Sequence, residues 1–214
     1  MQKKQAKKPV HSMARKAAQQ VRIIGGQWKR TPLAVVGAEG LRPTPDRVRE
    51  TVFNWLNHLL DGQWDSVACL DLFAGTGALG FEAASRGAGK VVMVESNMAA
   101  LSQLETTRIK LDAQQVSILR SDALSAAQKL ASRSAIQTQR FDVTFLDPPF
   151  NQDWIAKLLP VCEPLLTENG LIYAELEQPL SADSSPEWMS GWEVVRADKA
   201  GLVFYPLLRG SKSV

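Results

Sequence analysis

The chain has 214 residues, 45% of them hydrophobic, and a formal net charge of +3. This length suits one well-packed domain and excludes two large ones. No apolar run approaches the roughly 20 residues that span a bilayer, and the basic N-terminus lacks the apolar stretch of a secretory signal. We therefore expect a soluble cytoplasmic protein without membrane contact.

Cysteine and histidine are too few and too scattered for a disulfide framework or a zinc site. Cys69 falls in an apolar run and Cys162 in an amphipathic segment, so we expect both to be buried free thiols. His11 and His58 are isolated from other ligand-type residues. The sequence therefore predicts no metal centre.

The positive charge is concentrated towards the N-terminus. Residues 1–49 contain 12 Lys and Arg against 2 acids, whereas residues 50–214 contain 13 against 20. This asymmetry predicts a polyanionic partner, whose counterions are released on binding. We expect residues 1–20 to be disordered, and for residues 1–18 alone a solubilising tail is an equally good interpretation. The basic residues continue into the patterned segment 21–49, which favours a nucleic-acid surface.

The patterned part of the chain begins with a predicted hairpin and helix. Apolar runs at 21–24 and 33–36, separated by a turn with two glycines, predict a small N-terminal β-hairpin within residues 21–40. Thr44 and Pro45 then predict a helix start, with Thr44 as the N-cap and Pro45 in the first turn. One face of this helix is apolar at helical spacing: Val48, Val52, Trp55, Leu56 and Leu59.

Strands and helices alternate through the rest of the chain. The predicted strands are near-continuous apolar runs at 67–73, 90–95, 115–119, 141–147 and 170–176. The predicted helices fill the gaps, at about 77–86, 97–111, 123–133 and 152–166. This alternation predicts a parallel sheet covered by helices on both faces. Two further strands, 192–198 and 201–208, are so close in sequence that they can pair only antiparallel, as a terminal hairpin.

A glycine-rich loop follows the first of these strands and opens the next helix. Gly75, Gly77 and Gly80 have the spacing G-x-G-x-x-G, and Glu95 ends the next strand 20 residues after Gly75. Glycines allow the backbone to approach a ligand closely, and an acid ending the second strand can accept hydrogen bonds from ribose hydroxyls. Sites for NAD and for S-adenosylmethionine share both features, so this motif alone does not distinguish the two ligands.

Three features favour S-adenosylmethionine. Asp71 precedes the glycines, where a carboxylate repels a pyrophosphate but suits the α-ammonium group of a methionine. Asp122 follows the third strand, where it can accept a hydrogen bond from an adenine amino group. After residue 150 the chain has one more parallel strand and a hairpin, which is too little for the second half of a dinucleotide fold.

The motif Asp147-Pro148-Pro149-Phe150 closes the fourth strand, which we expect beside the first at the switch point where open α/β sheets bind ligands. The Asp147 carboxylate and the Pro148 carbonyl can each accept a hydrogen bond from the exocyclic amine of a base and stabilise the charge that develops on its nitrogen. Phe150 can stack on the base, which must then be extruded or single-stranded. Alone, the motif more readily indicates a turn with a packing aromatic. Together with the glycine loop and its acids, it indicates methylation of an amino group.

Two further stretches resemble one known family. They are residues 22–30 (RIIGGQWKR) and 41–56 (LRPTPDRVRETVFNWL), and the likeness covers about residues 21–208. They are similar to the bacterial 16S ribosomal RNA guanine-N2 methyltransferases (RsmD-like), which are class I S-adenosylmethionine-dependent enzymes. The resemblance implies a Rossmann-like, seven-stranded, mostly parallel sheet with an antiparallel last strand, formed by a methyltransferase domain at 41–214. It also implies methylation of one guanine N2 amino group of 16S ribosomal RNA in an assembled or partly assembled small subunit.

The resemblance also assigns roles to residues. The implied catalytic residues are Asp147, Pro148, Pro149 and Phe150. By the resemblance, Gly75, Gly77, Glu95 and Asp122 hold the cofactor. The other residues that we expect to contact it are Asp71, Phe73, Ala74, Ser96 and Ala123. The basic residues expected to lie towards the RNA are Arg22, Lys29, Arg30, Arg42 and Arg47. For the arginines a solvated or salt-bridged surface is an equally good interpretation. Many amino methyltransferases have tyrosine where this chain has Phe150, but stacking needs no hydroxyl.

Other interpretations stay open. An N6-adenine or N4-cytosine nucleic-acid methyltransferase, or a protein glutamine methyltransferase, can use a related motif, although the chain has no insertion large enough for a DNA target-recognition domain. A non-catalytic RNA-binding module on the same fold is disfavoured by the intact Asp147-Pro148-Pro149-Phe150 and Glu95. A nicotinamide oxidoreductase would be favoured only by binding of NAD instead of S-adenosylmethionine. We expect a monomer.

Overall fold

The structure is a computed structural model that describes residues 21–35, 44–134, 140–150, 152–180 and 186–211. The predicted basic tail at 1–20, the predicted strand end at residue 36 and the predicted RNA contact Arg42 lie outside the described residues. Within the described ranges, no helix combines the length and the apolar character that crossing a membrane requires.

The N-terminal part forms a hairpin followed by a helix. Strands β1 (Val21–Arg22) and β2 (Pro32–Leu33) pair antiparallel, which confirms the predicted hairpin with shorter strands. Helix α1 (Asp46–Leu59) turns its predicted apolar face to the core. On that face Val48, Val52 and Leu56 are buried, and Trp55 and Leu59 are partly buried against them.

The predicted cap of α1 is wrong. Pro45 occupies the cap position, the helix begins at Asp46, and no side chain caps its first turn. The hydroxyl of Thr44 lies instead within hydrogen-bonding distance of the carboxylates of Asp147 and Glu175. Threonine favours caps because its hydroxyl can bond the backbone nearby, and here a tertiary contact with two acids takes that hydroxyl.

The main sheet is built from β3 (Ala68–Asp71), β4 (Lys90–Glu95), β5 (Val116–Arg120), β6 (Phe141–Leu146), β7 (Leu166–Ala174), β8 (Trp192–Ala200) and β9 (Val203–Gly210). Their order across the sheet is β5-β4-β3-β6-β7-β9-β8. Strands β3 to β7 pair in parallel, whereas β9 pairs antiparallel with both β7 and β8. This topology confirms the predicted seven-stranded, mostly parallel sheet and its terminal hairpin. It also places the last strand of the chain inside the sheet, between β7 and β8.

Four helices connect the parallel strands: α2 (Ala78–Ser85), α3 (Met98–Lys110), α4 (Ala123–Ser134) and α5 (Trp154–Cys162). The side chain of Asn97 caps α3 by accepting hydrogen bonds from the backbone N–H groups of Ala99 and Ala100. Helix α5 ends earlier than predicted. The chain passes there into a 3-10 helix, Glu163–Leu165, whose proline cannot continue the α-helical hydrogen bonds.

The sheet separates two apolar cores. Side chains alternate along its strands, so that Cys69 packs in one core and its neighbour Leu70 in the other. Cys162, on α5, lies in the second core. Both cysteines are buried and free, as predicted. The N-terminal hairpin contributes Val21, Ile23 and Leu33 to the first core, so it is packed into the domain.

The hairpin is fixed to α2 by hydrogen bonds and close backbone packing. The carboxylate of Glu82, which is fully buried, accepts a hydrogen bond from the Ile24 backbone N–H at 2.7 Å. The Ser85 backbone carbonyl accepts one from the Gln27 N–H at 2.8 Å. Gly26 has a φ of +71°, and a Cβ built on it would lie 1.9 Å from the Ser85 carbonyl oxygen. Both the backbone angle and this close approach therefore require glycine.

We predict that Gly26→Ala destabilises the domain by at least about 2 kcal/mol, because the new methyl group must displace either the hairpin or the end of α2. Gly62→Ala is a matched control, because Gly62 has the same φ of +71° but only a side-chain atom 3.9 Å away. We expect the control to lose about 1 kcal/mol from backbone strain alone. Urea unfolding of both variants measures the difference, and equal losses would contradict the close packing.

Candidate active site

A cavity of about 860 Å³ opens at the carboxyl ends of the parallel strands; we call it the strand-end cavity. It lies where the chain, having moved outward from β3 through β4 to β5, crosses back to β6 on the other side of β3. Open α/β sheets bind ligands at such switch points. Its volume is within the range of about 300–1,000 Å³ that small-molecule sites occupy.

Each of the five parallel strands brings an acid to this cavity. Asp71 and Glu95 are the last residues of β3 and β4, and Asp122 follows β5 by two residues. Asp147 and Glu175 come directly after β6 and β7. All five line the strand-end cavity. Parallel pairing explains the convergence, since the carboxyl ends of parallel strands share one edge of the sheet.

The glycine loop forms one wall of the cavity. Gly75, at a φ of +51°, lines the cavity together with Phe73 and Ala74, and their contact with a cofactor stays a prediction. Gly77 does not line it. With a φ of +79°, Gly77 lies where a Cβ would be 2.4 Å from the Phe81 ring, so it allows α2 to start close to its neighbours. A cofactor contact of Gly77 stays a prediction.

Asp71 fixes the backbone on both sides of the glycine loop. It is 1% exposed, and its carboxylate accepts hydrogen bonds from the backbone N–H groups of Phe73, at 3.3 Å, and Gly80, at 3.1 Å. Burial raises the pKa of this carboxyl group to about 7, against the effect of the two hydrogen bonds. The sequence does not predict this structural role, because it does not show where backbone N–H groups point. Contact with a methionine ammonium group stays a prediction.

Glu95 and Asp122 are the acids that β4 and β5 bring to the cavity. The Glu95 carboxylate accepts hydrogen bonds from the N–H groups of Gly75, at 2.8 Å, and Asn97, at 2.7 Å, so it also fixes the loop. Asp122 is exposed and accepts a hydrogen bond from the Ser125 N–H at 2.9 Å. That bond is the main reason why the pKa of Asp122 is below its usual value. The remaining predicted cofactor residues, Ser96 and Ala123, also line the cavity.

The Asp-Pro-Pro-Phe motif follows β6, the strand that pairs with β3 in the sheet. Pro148 is buried, whereas Pro149 is exposed and the Phe150 side chain is 40% exposed. All four residues of the motif line the strand-end cavity. Phe150 therefore presents an aromatic surface that a flat ligand can reach.

Asp147 belongs to a network of hydrogen bonds at the base of the motif. The Thr44 hydroxyl lies 3.0 Å from Asp147 Oδ2 and 2.8 Å from Glu175 Oε1. The Tyr173 hydroxyl donates to the same Glu175 oxygen at 2.7 Å. Burial and the neighbouring Glu175 carboxylate raise the pKa of Asp147 well above its usual value. This shift stabilises the protonated form of Asp147 relative to that of an exposed aspartate.

Sequence reasoning misses several residues of the cavity. It predicts a helix cap at Thr44, and it does not single out Glu175. A signal for Glu175 exists, since it lies at the carboxyl end of its strand, as the other four acids lie at or just after the ends of theirs. Trp154, at the start of α5, lines the cavity and packs edge-on against Phe73, with ring centroids 5.6 Å apart. No periodicity indicates that contact, because Trp154 and Phe73 are far apart in the chain.

The basic residues predicted to lie towards RNA lie outside the cavity. Arg22, Lys29, Arg30 and Arg47 are on the hairpin and the first turn of α1, facing solvent in whole or in part. Arg22 is paired with Asp46 at 2.8 Å, so part of its charge is already balanced. None of these four residues lines the strand-end cavity. We refer to these four exposed residues together as the basic surface; the charge of Arg47 also acts on Asp198 in β8.

Comparison with known proteins identifies the family. The family model described as conserved hypothetical protein 95 matches residues 21–209. The chain is 38% identical to "Ribosomal RNA small subunit methyltransferase D" of Escherichia coli (strain K12) over 205 residues, which are 94% of this chain and 93% of that protein. It is also 38% identical to the protein of the same name from Haemophilus influenzae, over 88% of this chain and 93% of the relative.

The solved structure of the yhhF protein of Escherichia coli has the same architecture. It superposes with a TM-score of 0.70 at 33% sequence identity and covers 91% of this chain and 99% of its own. The fold is therefore the Rossmann-like class I methyltransferase fold. Through the match over residues 21–209 and the close relatives, the chain belongs to the ribosomal RNA small subunit methyltransferase D family.

Proposed function

We propose that this protein transfers a methyl group from S-adenosylmethionine to the exocyclic N2 amino group of one guanine in 16S ribosomal RNA. Its relatives are named as small-subunit ribosomal RNA methyltransferases, which supports the reaction and the RNA class. The observation that carries the proposal for this chain is that Asp147-Pro148-Pro149-Phe150 and the glycine loop line one and the same cavity. A methyl donor and an amine acceptor can meet there.

The residues of the strand-end cavity fit a cationic donor. Five carboxylates line the cavity, which favours a sulfonium and an ammonium group and disfavours the pyrophosphate of NAD. Glu95 would accept hydrogen bonds from the ribose hydroxyls, and Asp122 with Ala123 would hold the adenine. Asp71 and the loop from Phe73 to Gly75 would hold the methionine part. When bound, the donor would supply an activated methyl group on a cationic sulfur.

The acceptor end of the cavity fits guanine better than adenine or cytosine. The Watson–Crick edge of guanine has two adjacent donors, N1–H and N2–H₂, whereas adenine and cytosine have a ring-nitrogen acceptor beside their amino group. An ionised carboxylate only accepts hydrogen bonds. Asp147 and the Pro148 carbonyl, with Glu175 behind them, form an acceptor-rich corner. This complementarity supports N2 methylation of guanine over N6-adenine or N4-cytosine methylation.

Catalysis would rest on positioning and on charge stabilisation. The Asp147 carboxylate and the Pro148 carbonyl would hold the two N–H groups of the amine and stabilise the positive charge that develops on its nitrogen. Phe150, 40% exposed, would stack on the base once it has left its own helix. The basic surface of Arg22, Lys29, Arg30 and Arg47 would contact phosphates of the ribosomal RNA.

We predict that Asp147→Ala lowers methyl transfer at least about 100-fold, because the amine loses its main acceptor, while donor affinity changes little. Radiolabelled transfer to small ribosomal subunits, naked ribosomal RNA and DNA, followed by identification of the methylated nucleoside, gives the measurement. Asp65→Ala, at an exposed acid before the start of β3, is the control. Undiminished transfer by a folded Asp147→Ala protein would refute the catalytic assignment, and a methylated base other than guanine would refute the specificity.

We predict that Glu95→Gln weakens S-adenosylmethionine binding about 10-fold or more, because a neutral amide accepts more weakly from ribose hydroxyls than a carboxylate does. Calorimetric titration of the purified protein with the donor measures this. Glu105→Gln removes the same charge from the outer face of α3, where Glu105 pairs with Arg108 at 2.8 Å. Similar donor affinities for the two variants would argue against a ribose contact of Glu95.

We predict that Lys29→Gln and Arg47→Gln each reduce the salt dependence of RNA binding. The slope of log K against log salt should become shallower by about 0.7–0.9 for each RNA phosphate that the variant no longer neutralises. Fluorescence titrations of a 16S ribosomal RNA fragment at several salt concentrations supply the slopes. Lys110→Gln, at the end of α3, is the charge-matched control. An unchanged slope in both Lys29→Gln and Arg47→Gln would show that this surface does not contact RNA.

A further inference from the structure

Three residues from separate parts of the fold meet beside the proposed reacting amine. Thr44 precedes α1, Asp147 follows β6 and Glu175 follows β7. Leu146 and Ala174 are partners in the parallel pairing of β6 and β7, so the two acids leave adjacent strands side by side. The Glu175 backbone N–H donates to the Leu146 carbonyl at 2.9 Å, which fixes their relative positions. Thr44 and Glu175 are each 6% exposed.

The number of protons in this group follows from its distances. Thr44 has one hydroxyl proton, yet its oxygen is 2.8 Å from Glu175 Oε1 and 3.0 Å from Asp147 Oδ2. If both acids were ionised, one of these contacts would place two acceptors against each other without a hydrogen. The Tyr173 hydroxyl already donates to Glu175 Oε1, at 2.7 Å. One retained proton satisfies the arrangement: the acid that holds it donates to Thr44, and Thr44 donates to the other acid. The raised pKa of Asp147 favours Asp147 as the acid that holds the proton.

The charges around the group agree with one retained proton. Asp147 is near Glu175, from the end of β7, and Asp71, from the end of β3, and both carboxylates raise its pKa together with burial. A hydrogen bond that the Thr44 hydroxyl donates to an ionised Asp147 acts in the opposite direction and lowers this pKa. The pKa of Tyr173 is raised as well, first by burial and then by Glu175 and Asp147, so this hydroxyl remains a donor. A carboxyl group that keeps its proton can still accept one N–H group through its carbonyl oxygen, but it lacks the negative charge that stabilises a cationic nitrogen.

We propose that Thr44 and Glu175 are positioning residues that relay the proton of Asp147 to Glu175, so that Asp147 is ionised when the guanine amine binds. This inference rests on the proposed function. The proton on Asp147 Oδ2 passes to the Thr44 oxygen while the Thr44 proton passes to Glu175 Oε1. The two acids keep one proton throughout, and none is exchanged with water in this step.

The same group of residues takes up the proton that the subsequent methyl transfer releases. The lone pair of the amine nitrogen forms the bond to the methyl carbon, and the electron pair of the carbon–sulfur bond stays on sulfur. The nitrogen then carries an extra proton, which leaves to the ionised Asp147 carboxylate. The two acids now hold two protons, a neutral state that burial favours. One proton returns to water through the open cavity when the product leaves.

The relay predicts a distinctive pH dependence. In the wild type, Asp147 can give its proton to Glu175, so single-turnover methylation does not require the Asp147 proton to enter water. Thr44→Val removes the bridging hydroxyl and with it the hydrogen bond that lowers the pKa of Asp147, so Asp147 ionises only at a higher pH. We expect activity at neutral pH to fall about 10-fold or more and to recover as pH rises, because one pH unit is a tenfold change in the ionised fraction. Thr44→Ser keeps the hydroxyl and should keep the wild-type profile.

A double variant distinguishes the relay from a loss of packing. In Thr44→Val/Glu175→Gln the charge of Glu175 is gone, so Asp147 ionises more easily. The rise of activity with pH therefore begins at a lower pH than in Thr44→Val. Thr144→Val is the matched control, since the hydroxyl of Thr144, buried in β6, has no hydrogen-bond partner within the described residues. A Thr44→Val protein whose activity is reduced equally at every pH, or an unshifted limb in the double variant, would overturn the proposal.

Infrared difference spectra test the resting state without any methyl transfer. A protonated carboxyl group has a C=O stretch that an ionised carboxylate lacks. At neutral pH we expect the wild-type protein to show such a band that disappears in Asp147→Asn. Its absence would overturn the proposal even if guanine methylation is confirmed. Its presence, with no methylation of any guanine by the wild type, would instead refute the proposed function while leaving the shared proton in place.

Discussion

Parallel pairing of β3 to β7 is the constraint on which the rest of this structure depends. The carboxyl ends of parallel strands lie at the same end of a sheet. Because the strands themselves are buried and almost continuously apolar, polar residues first occur at these carboxyl ends. Five acids therefore converge on one cavity although they are spread over more than 100 residues of chain. The chemistry of the site is a direct product of the direction in which the strands run.

Several carboxylates fix the backbone around the site by accepting hydrogen bonds from its N–H groups. Asp71 and Glu95 both accept hydrogen bonds from backbone N–H groups of the glycine loop, and Glu82 does the same for the N-terminal hairpin. A buried charge is costly unless such bonds compensate for its lost hydration. The hydrogen bonds of these acids therefore fix the glycine loop and the N-terminal hairpin. A loop fixed in this way needs little rearrangement to receive a ligand, which is the condition for catalysis by positioning.

Much of the fold can be predicted from the sequence, because buried parallel strands and amphipathic helices leave strong local patterns. The apolar run at 90–95 predicts a strand with its observed bounds, and the antiparallel terminal hairpin is predicted as well. The site is predictable where a residue ends its own strand, as Glu95 and Asp147 do. Thr44 is not, since its local neighbours favour a helix cap and only the folded sheet brings two acids to its hydroxyl. Gly77 resembles a ligand contact by spacing, but the crowding by Phe81 that explains it is tertiary.

The position of β9 has a consequence for how the chain is made. β7 pairs with β6 on one side and with β9 on the other, and β8 reaches the sheet only through β9. During synthesis, β7 therefore has an open hydrogen-bonding edge until residues 203–210 emerge, although β8 is already available. Open edges invite pairing with other chains. The nascent protein is thus most exposed to aggregation just before its final strand arrives, and completion of that strand closes the gap.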